Sequence, residues 1–294
     1  MQRQWKGNTK GTPWMHRMLI ASFKIMDLRF IYLGLVLFVV PSCMLFSHKG
    51  YIAQYHYFRR RLHYGVLRAF FAVGKNHYRF GQVIIDRFYM YAGGHFDFEL
   101  EGYDRYLALE KEPGGFMILS SHTGNYELAG YTLRAQRKRF NALVYGGEAQ
   151  VIMQNRHKEL DRNNINMIVV SDDMSHLFAM SNALSAGEIL SIPGDRLLGS
   201  PRHVDVDFMG AKAQLPMGPY ALAVQRGVPV LAVQVMKEGV KRYRVVINPI
   251  APESDARGRS ARVQSLAQAY AANLEQAVRR YPHQWFNYYE FWNA

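Results

Sequence analysis

Residues 116–127 read Phe116-Met-Ile-Leu-Ser-Ser-His-Thr-Gly-Asn-Tyr-Glu127. An uninterrupted apolar run of strand length stops at a turn of small residues, where Gly124 supplies the backbone freedom a sharp reversal needs. Asn125 stands where it would cap a helix opening Tyr126-Glu127-Leu128-Ala129. The turn carries His122, and Glu127 follows five positions later. A base on a tight turn with a carboxylate in reach is the arrangement acyl transfer needs. His122 would take the proton of an acceptor hydroxyl, while Glu127 would fix the imidazole tautomer and stabilise the imidazolium. With 11 histidines and 23 acidic residues in 294, about one such spacing arises by chance, so the weight rests on the strand–turn–helix context. The plainer alternative is a capping glutamate near a buried, hydrogen-bonded histidine.

Working outward, residues 95–250 alternate short strand-like runs with helical windows. The runs fall at 96–100, 116–120, 142–145, 167–170, 189–192, 204–208 and 228–235, with 243–247 as an added edge strand. Such alternation predicts an α/β fold built around a largely parallel central sheet flanked by helices. A long amphipathic helix is predicted over 260–280, with Ser260 as N-cap and Pro282 closing it. The tail from Tyr281 to Trp292 is dense in aromatics, and core packing accounts for it better than a headgroup boundary.

Residues 1–94 differ: they read as helical, aromatic and basic. The predicted organisation is a membrane-associated helical cap over 1–94 and an α/β catalytic body over 95–294. The longest uncharged run, 30–46, is at the short end for crossing a bilayer, and Pro41 would kink it. Arg3, Lys6, Lys10, Arg17, Lys24 and Arg29 precede it; Lys49 and Arg59-Arg60-Arg61 follow. Cations on both sides suit a helix held in or against a leaflet, meeting anionic headgroups, better than a simple single pass. An ordinary buried core helix satisfies the same pattern. The run begins late and lacks a small-x-small cleavage site, which disfavours a secretory signal.

A formal charge of +13 calls for an anionic partner: a phospholipid surface, an acidic carrier protein or a nucleic acid. Cys43 is the sole cysteine, so an intrachain disulfide and a cysteine-rich metal site are excluded. No His-Glu-x-x-His or comparable ligand cluster occurs, so no metal site is expected, and without a phosphate-binding Gly-x-x-x-x-Gly-Lys-Ser/Thr loop or a Gly-x-Ser-x-Gly elbow a nucleotide hydrolase and a serine hydrolase are disfavoured.

Five landmarks in order carry a resemblance. They are the Ser-His-Thr-Gly-Asn-Tyr-Glu block ending at Glu127, then Leu184-Ser-Ala-Gly-Glu-Ile-Leu-Ser-Ile-Pro-Gly-Asp-Arg196, and Val206-Asp-Phe-Met-Gly210. The fourth runs from Pro216-Met-Gly-Pro-Tyr220 to Gly227-Val-Pro-Val230, and the fifth is Tyr281-Pro-His-Gln-Trp285. Together they resemble the lysophospholipid acyltransferase superfamily, and within it the bacterial lipid A late acyltransferases (the lauroyl/myristoyl transferases). Two departures stand out. Val144-Tyr-Gly-Gly-Glu-Ala-Gln150 occupies the place of an arginine-rich segment, and Gly194-Asp-Arg196 replaces an Asp-x-x-x-Gly loop.

The resemblance implies transfer of a fatty acyl chain from an acyl carrier protein or coenzyme A thioester to a lipid acceptor. It implies no cofactor and no covalent acyl-enzyme, and places the enzyme at the cytoplasmic face of a bacterial inner membrane. His122 and Glu127 would be the catalytic pair. Asn125 and the amides of the turn would stabilise developing negative charge, although for Asn125 capping explains as much. Arg196 would grip a phosphate, with Asp195 holding its guanidinium; a surface ion pair is the alternative. Gly218 would admit a ligand close to the backbone or simply permit a turn. Arg134, Arg137, Lys138 and Arg139 would close the helix opened by Glu127, complementing its dipole. Other lipid acceptors fit the same motifs: a lysophospholipid, an aminolipid or a polyene pigment. A non-catalytic basic protein binding lipid or nucleic acid is the contrasting class; the His122/Glu127 pair argues against a decayed enzyme, the apolar run argues for a membrane, and no nucleic acid is expected.

Overall fold

A computed structural model of the chain describes residues 13–23, 25–46, 48–133, 135–145, 164–171, 173–197 and 202–292. Arg3, Lys6, Lys10, Lys24, Arg134 and residues 146–150 lie outside them.

The central sheet is assembled from β1 (Asp97–Glu101), β2 (Phe116–Ser120), β3 (Phe140–Tyr145), β4 (Ile165–Val170), β5 (Ile189–Pro193), β8 (Val230–Lys237) and β9 (Arg242–Ile250). Its order is β1-β9-β8-β2-β5-β3-β4. Every neighbouring pair is parallel except β8 and β9, which form an antiparallel pair. Between β5 and β8 the chain makes a separate hairpin, β6 (His203–Phe208) and β7 (Ala211–Pro216). The α/β reading therefore holds, with a mostly parallel seven-strand sheet.

β2 lies in the middle and is buried along its whole length. Its period-2 alternation sends Phe116 and Ile118 into one core layer, and Met117 and Leu119 into the other. The first layer is covered by α6 (Tyr103–Lys111) and α7 (Leu128–Thr132), through Tyr106 and Leu128. The second is covered by α9 (Met217–Arg226) and α10 (Gly258–Arg280), through Tyr220, Leu266 and Tyr270. The helix α8 (Ser175–Ser185) precedes β5.

Several sequence expectations shift. The segment 243–247 is no edge: β9 lies between β8 and β1, and the solvent-facing β1 takes the edge. α10 begins at Gly258, so Ser260 lies inside it and Arg257 occupies the cap position. The helix near Glu127 ends at Thr132, whose hydroxyl donates back to the carbonyls of Leu128 and Ala129. The cations at 137–139 therefore do not close it. Arg137 donates its backbone N–H to Glu110. Lys138 Nζ donates to three carbonyls, those of Glu112, Gly114 and Gly187. The aromatic tail packs into the core through Trp285, Phe286 and Phe291.

The N-terminal part is helical: α1 (Pro13–Ser22), α2 (Leu28–Gly34), α3 (Val40–Phe46), α4 (His48–His56) and α5 (Val66–Tyr91). A π turn over Leu35–Val39 joins α2 to α3, and Val40 N–H reaches back to Leu35. Pro41 follows directly. It has no N–H to donate, and the wider turn before it accommodates that loss. This apolar run is not a buried core helix: Phe30, Leu33, Leu37 and Phe38 are exposed, Phe38 by 71 %. α5, by contrast, enters the body. Ala69, Ala72 and Val73 share a core layer with Leu119 and Leu190, and Asn76 donates to the Trp285 carbonyl.

Candidate active site

β2 and β5 are adjacent and parallel, with Ser120 matched to Pro193. Two residues beyond that matched pair stand His122 and Asp195, so both leave the carboxyl edge of the sheet side by side. This is where open α/β sheets place their ligands. Gly194 N–H donates to the Ser120 carbonyl at 2.9 Å and clasps the two loops together. Tyr270 donates to the same carbonyl, and Tyr220 to that of Gly194, each at 2.7 Å.

Asp195 is fully buried and gives both oxygens to one residue. Oδ1 lies 2.7 Å from His122 Nδ1, and Oδ2 accepts the His122 backbone N–H at 2.9 Å. Ring and backbone are thus held by the same carboxylate. With the Nδ1 proton donated to Asp195, the imidazole lone pair sits on Nε2. Nε2 has no hydrogen-bond partner among the described residues, and the side chain keeps 14 % of its surface. The Tyr126 ring packs edge-on to the imidazole at 5.2 Å between centroids.

The turn behind His122 is held from two directions. Gly124 adopts a left-handed φ of 51°, and a Cβ there would stand 2.0 Å from the Val235 carbonyl oxygen. Only glycine fits so close to β8. From the other side comes the tail: Gln284 O accepts from Gly124 N, and Phe286 N donates to His122 O. The Gln284 side chain pairs in both directions with the Lys237 backbone, each bond 2.8 Å.

Glu127 occupies a different place from the one its spacing suggested. Its Oε1 accepts from Arg87 of α5 at 2.8 Å, while the carboxylate on His122 Nδ1 is that of Asp195. The tautomer-fixing contact predicted for Glu127 is therefore made by Asp195. Nor does Asp195 clamp Arg196: Arg196 Nη2 donates to the Phe286 carbonyl at 2.6 Å, and its Nε is buried without a partner. Asn125 does not cap α7 with its side chain. Its backbone carbonyl accepts from Leu128, and its amide nitrogen lies 3.5 Å from the Tyr243 hydroxyl. Asn125 Oδ1 is buried and unpartnered. Gly218 lies in the first turn of α9, exposed, with nothing within 4 Å of a Cβ built there. No close approach explains a glycine at that position.

Burial pushes the His122 imidazole below its ordinary value of 6.5, and the Arg196 charge pushes the same way; Asp195 offsets part of this. For Asp195, burial works to raise the carboxyl, but His122 and Arg196 together outweigh it and hold it below the usual range. A base works only when neutral, so a lowered His122 value moves the acid limb downward. The rate of a reaction using this base is expected to hold as the pH falls from 7 through 6.5, with its acid limb centred below the ordinary imidazole value. A kcat/KM profile with its acid limb centred above pH 7 would contradict the assignment.

Residues 92–293, well over half of the chain, match the model of the bacterial lipid A biosynthesis acyltransferase family. The chain belongs to that family. No curated protein sequence matches it. The matched span runs from the end of α5 through the tail and contains the whole His122–Asp195 site. As a family member it is an acyltransferase acting on lipid.

Proposed function

We propose that this acyltransferase moves a fatty acyl chain from an acyl carrier protein or coenzyme A thioester to a hydroxyl of a lipid A precursor. The observation that carries the reading is the His122 imidazole, anchored through Nδ1 to buried Asp195 and open at Nε2. Nε2 takes the hydroxyl proton as the oxygen attacks the thioester carbonyl. The tetrahedral intermediate then collapses, the C–S bond breaks, and the departing thiolate takes the proton from His122.

Asp195 orients the base and stabilises the imidazolium. Glu127 acts one step removed: the Arg87 charge depresses His122, and the Glu127 carboxylate neutralises that charge. Arg196 and the unpartnered Asn125 Oδ1 border the site as candidate contacts to substrate polar groups. The exposed apolar run and the basic chain support work at a membrane surface, at the cytoplasmic face of the inner membrane where acyl thioesters are available.

The test is reconstitution in vesicles with a labelled acyl donor, either carrier protein or coenzyme A, and a panel of lipid acceptors read by mass spectrometry. One added acyl mass on the lipid A precursor is the expected result. Product on a lysophospholipid or aminolipid alone would reassign the acceptor, and no product with either donor would overturn the reading.

A further inference from the structure

We infer that Gln54 of α4 and Asn76 of α5 are positioning residues for the acyl transfer. Their side-chain amides set the tail, and the tail sets the turn carrying His122 and the guanidinium of Arg196. Trp285 is extended backbone and pairs with Thr123, so successive carbonyls there point to opposite edges of the chain. The carbonyls of even-numbered residues face the catalytic loops. That of Gln284 accepts from Gly124 N–H at 2.8 Å and that of Phe286 from Arg196 Nη2 at 2.6 Å, while Phe286 N–H donates to the His122 carbonyl at 3.0 Å. Those of odd-numbered residues face the N-terminal helices. Asn76 Nδ2 donates to the carbonyls of His283 at 3.3 Å and Trp285 at 2.9 Å. Gln54 Nε2 donates to those of Trp285 at 3.2 Å and Asn287 at 2.7 Å. One strand is thus gripped along both edges, by helices on one side and by the catalytic loops on the other.

Both side chains are fully buried, yet Gln54 Oε1 and Asn76 Oδ1 have no hydrogen-bond partner. An orphaned acceptor in the interior costs stability, so neither amide is the best choice for packing alone. What each supplies is a fork of two N–H donors, and each uses both on the tail. An apolar side chain would fill the same space but leave the odd-numbered carbonyls without donors and the strand free to shift along the catalytic turn. A misplacement of about 1 Å at the base costs about 100-fold in rate. Both residues precede the span that matches the family, so the grip on the site comes from helices outside that span.

The inference rests on His122 as the base, and its test separates the two claims. Gln54→Met and Asn76→Leu, singly and together, are compared with wild type and with Val73→Ala, a truncation in the core face of α5 that leaves both amides in place. The readings are kcat, KM for donor and acceptor, and backbone amide exchange at Gly124, at Phe286 and at Leu119 inside β2. The amide variants are expected to lose about 100-fold in kcat, with each KM within about twofold of wild type. Exchange at Gly124 and Phe286 is expected to quicken about tenfold while Leu119 keeps its wild-type rate. Val73→Ala is expected to keep the wild-type kcat. Where Asn76→Leu does not fold, Gln54→Met, which retains both Asn76 bonds, carries the same readings. Wild-type kcat in the folded amide variants would overturn the inference, as would a raised KM with kcat unchanged, or exchange that quickens equally at Leu119. An inactive wild type would count against the proposed function instead, and exchange alone then decides whether these amides hold the turn.

Discussion

Asp195→Asn is expected to slow acyl transfer by about 10⁴-fold while leaving the fold and lipid binding intact. The size follows from how the two carboxylate oxygens are used. One accepts the His122 backbone N–H and the other faces Nδ1. An asparagine has a single acceptor oxygen. Placed on the backbone N–H, it turns its amide toward Nδ1, donates there, and moves the ring proton to Nε2, where a lone pair is needed. Placed on Nδ1, it sets an amide N–H against a backbone N–H in a fully buried space, which costs about 1–3 kcal/mol. The first placement avoids that clash and is favoured, and it removes the base. Glu127→Gln should cost far less, because it acts through Arg87. Single-turnover rates with a labelled donor compare the two directly. Equal losses for both variants would return the orienting role to Glu127.

Lys237→Met is expected to destabilise the protein by about 3–5 kcal/mol. Lys237 is 1 % exposed, and its ammonium lies 2.6 Å from Asp86 Oδ2 and 2.9 Å from the Val240 carbonyl. Asp86 also receives the hydroxyls of Tyr32 and Tyr243. One buried ion pair therefore ties the apolar run, α5, β8 and β9 together. Removing the cation leaves a carboxylate in the interior with only neutral donors. Asp86→Leu combined with Lys237→Met removes the stranded charge, so the double variant should be more stable than Lys237→Met alone. Denaturant unfolding in detergent measures both; a loss under 1 kcal/mol for Lys237→Met would contradict the anchor.

How much of this was legible in sequence depended on whether the signal was local. β2 was read with its observed bounds, because an uninterrupted apolar run ending at a glycine turn states its own limits. β7 was missed. Its hairpin turns on Met209 and Gly210, both at positive φ, the pattern of a two-residue turn that ordinarily announces itself as Asn-Gly. A methionine in the first position hides it. The segment 243–247 was read as an edge strand, whereas the strand that covers it, β1, lies nearly 150 residues earlier.

The site divides the same way. His122 was found because its turn is written in consecutive residues. Its partner was assigned to Glu127, five positions away, when the contact spans 73 positions to Asp195. Asp195 was itself picked out, as the holder of Arg196. The signal that connects it to His122 is the matched ends of two parallel strands, each followed two residues later by a polar side chain. Strand order is required to see that match, and composition does not supply strand order.

The most direct test of the central claim is the lipid mass spectrum produced by wild type and His122→Ala in the same vesicles with the same labelled acyl donor. The expected result is one added acyl mass with wild type and none above background with His122→Ala, both proteins binding the vesicles equally. Identical product from the two proteins would show that His122 is structural, and that the base for acyl transfer lies elsewhere.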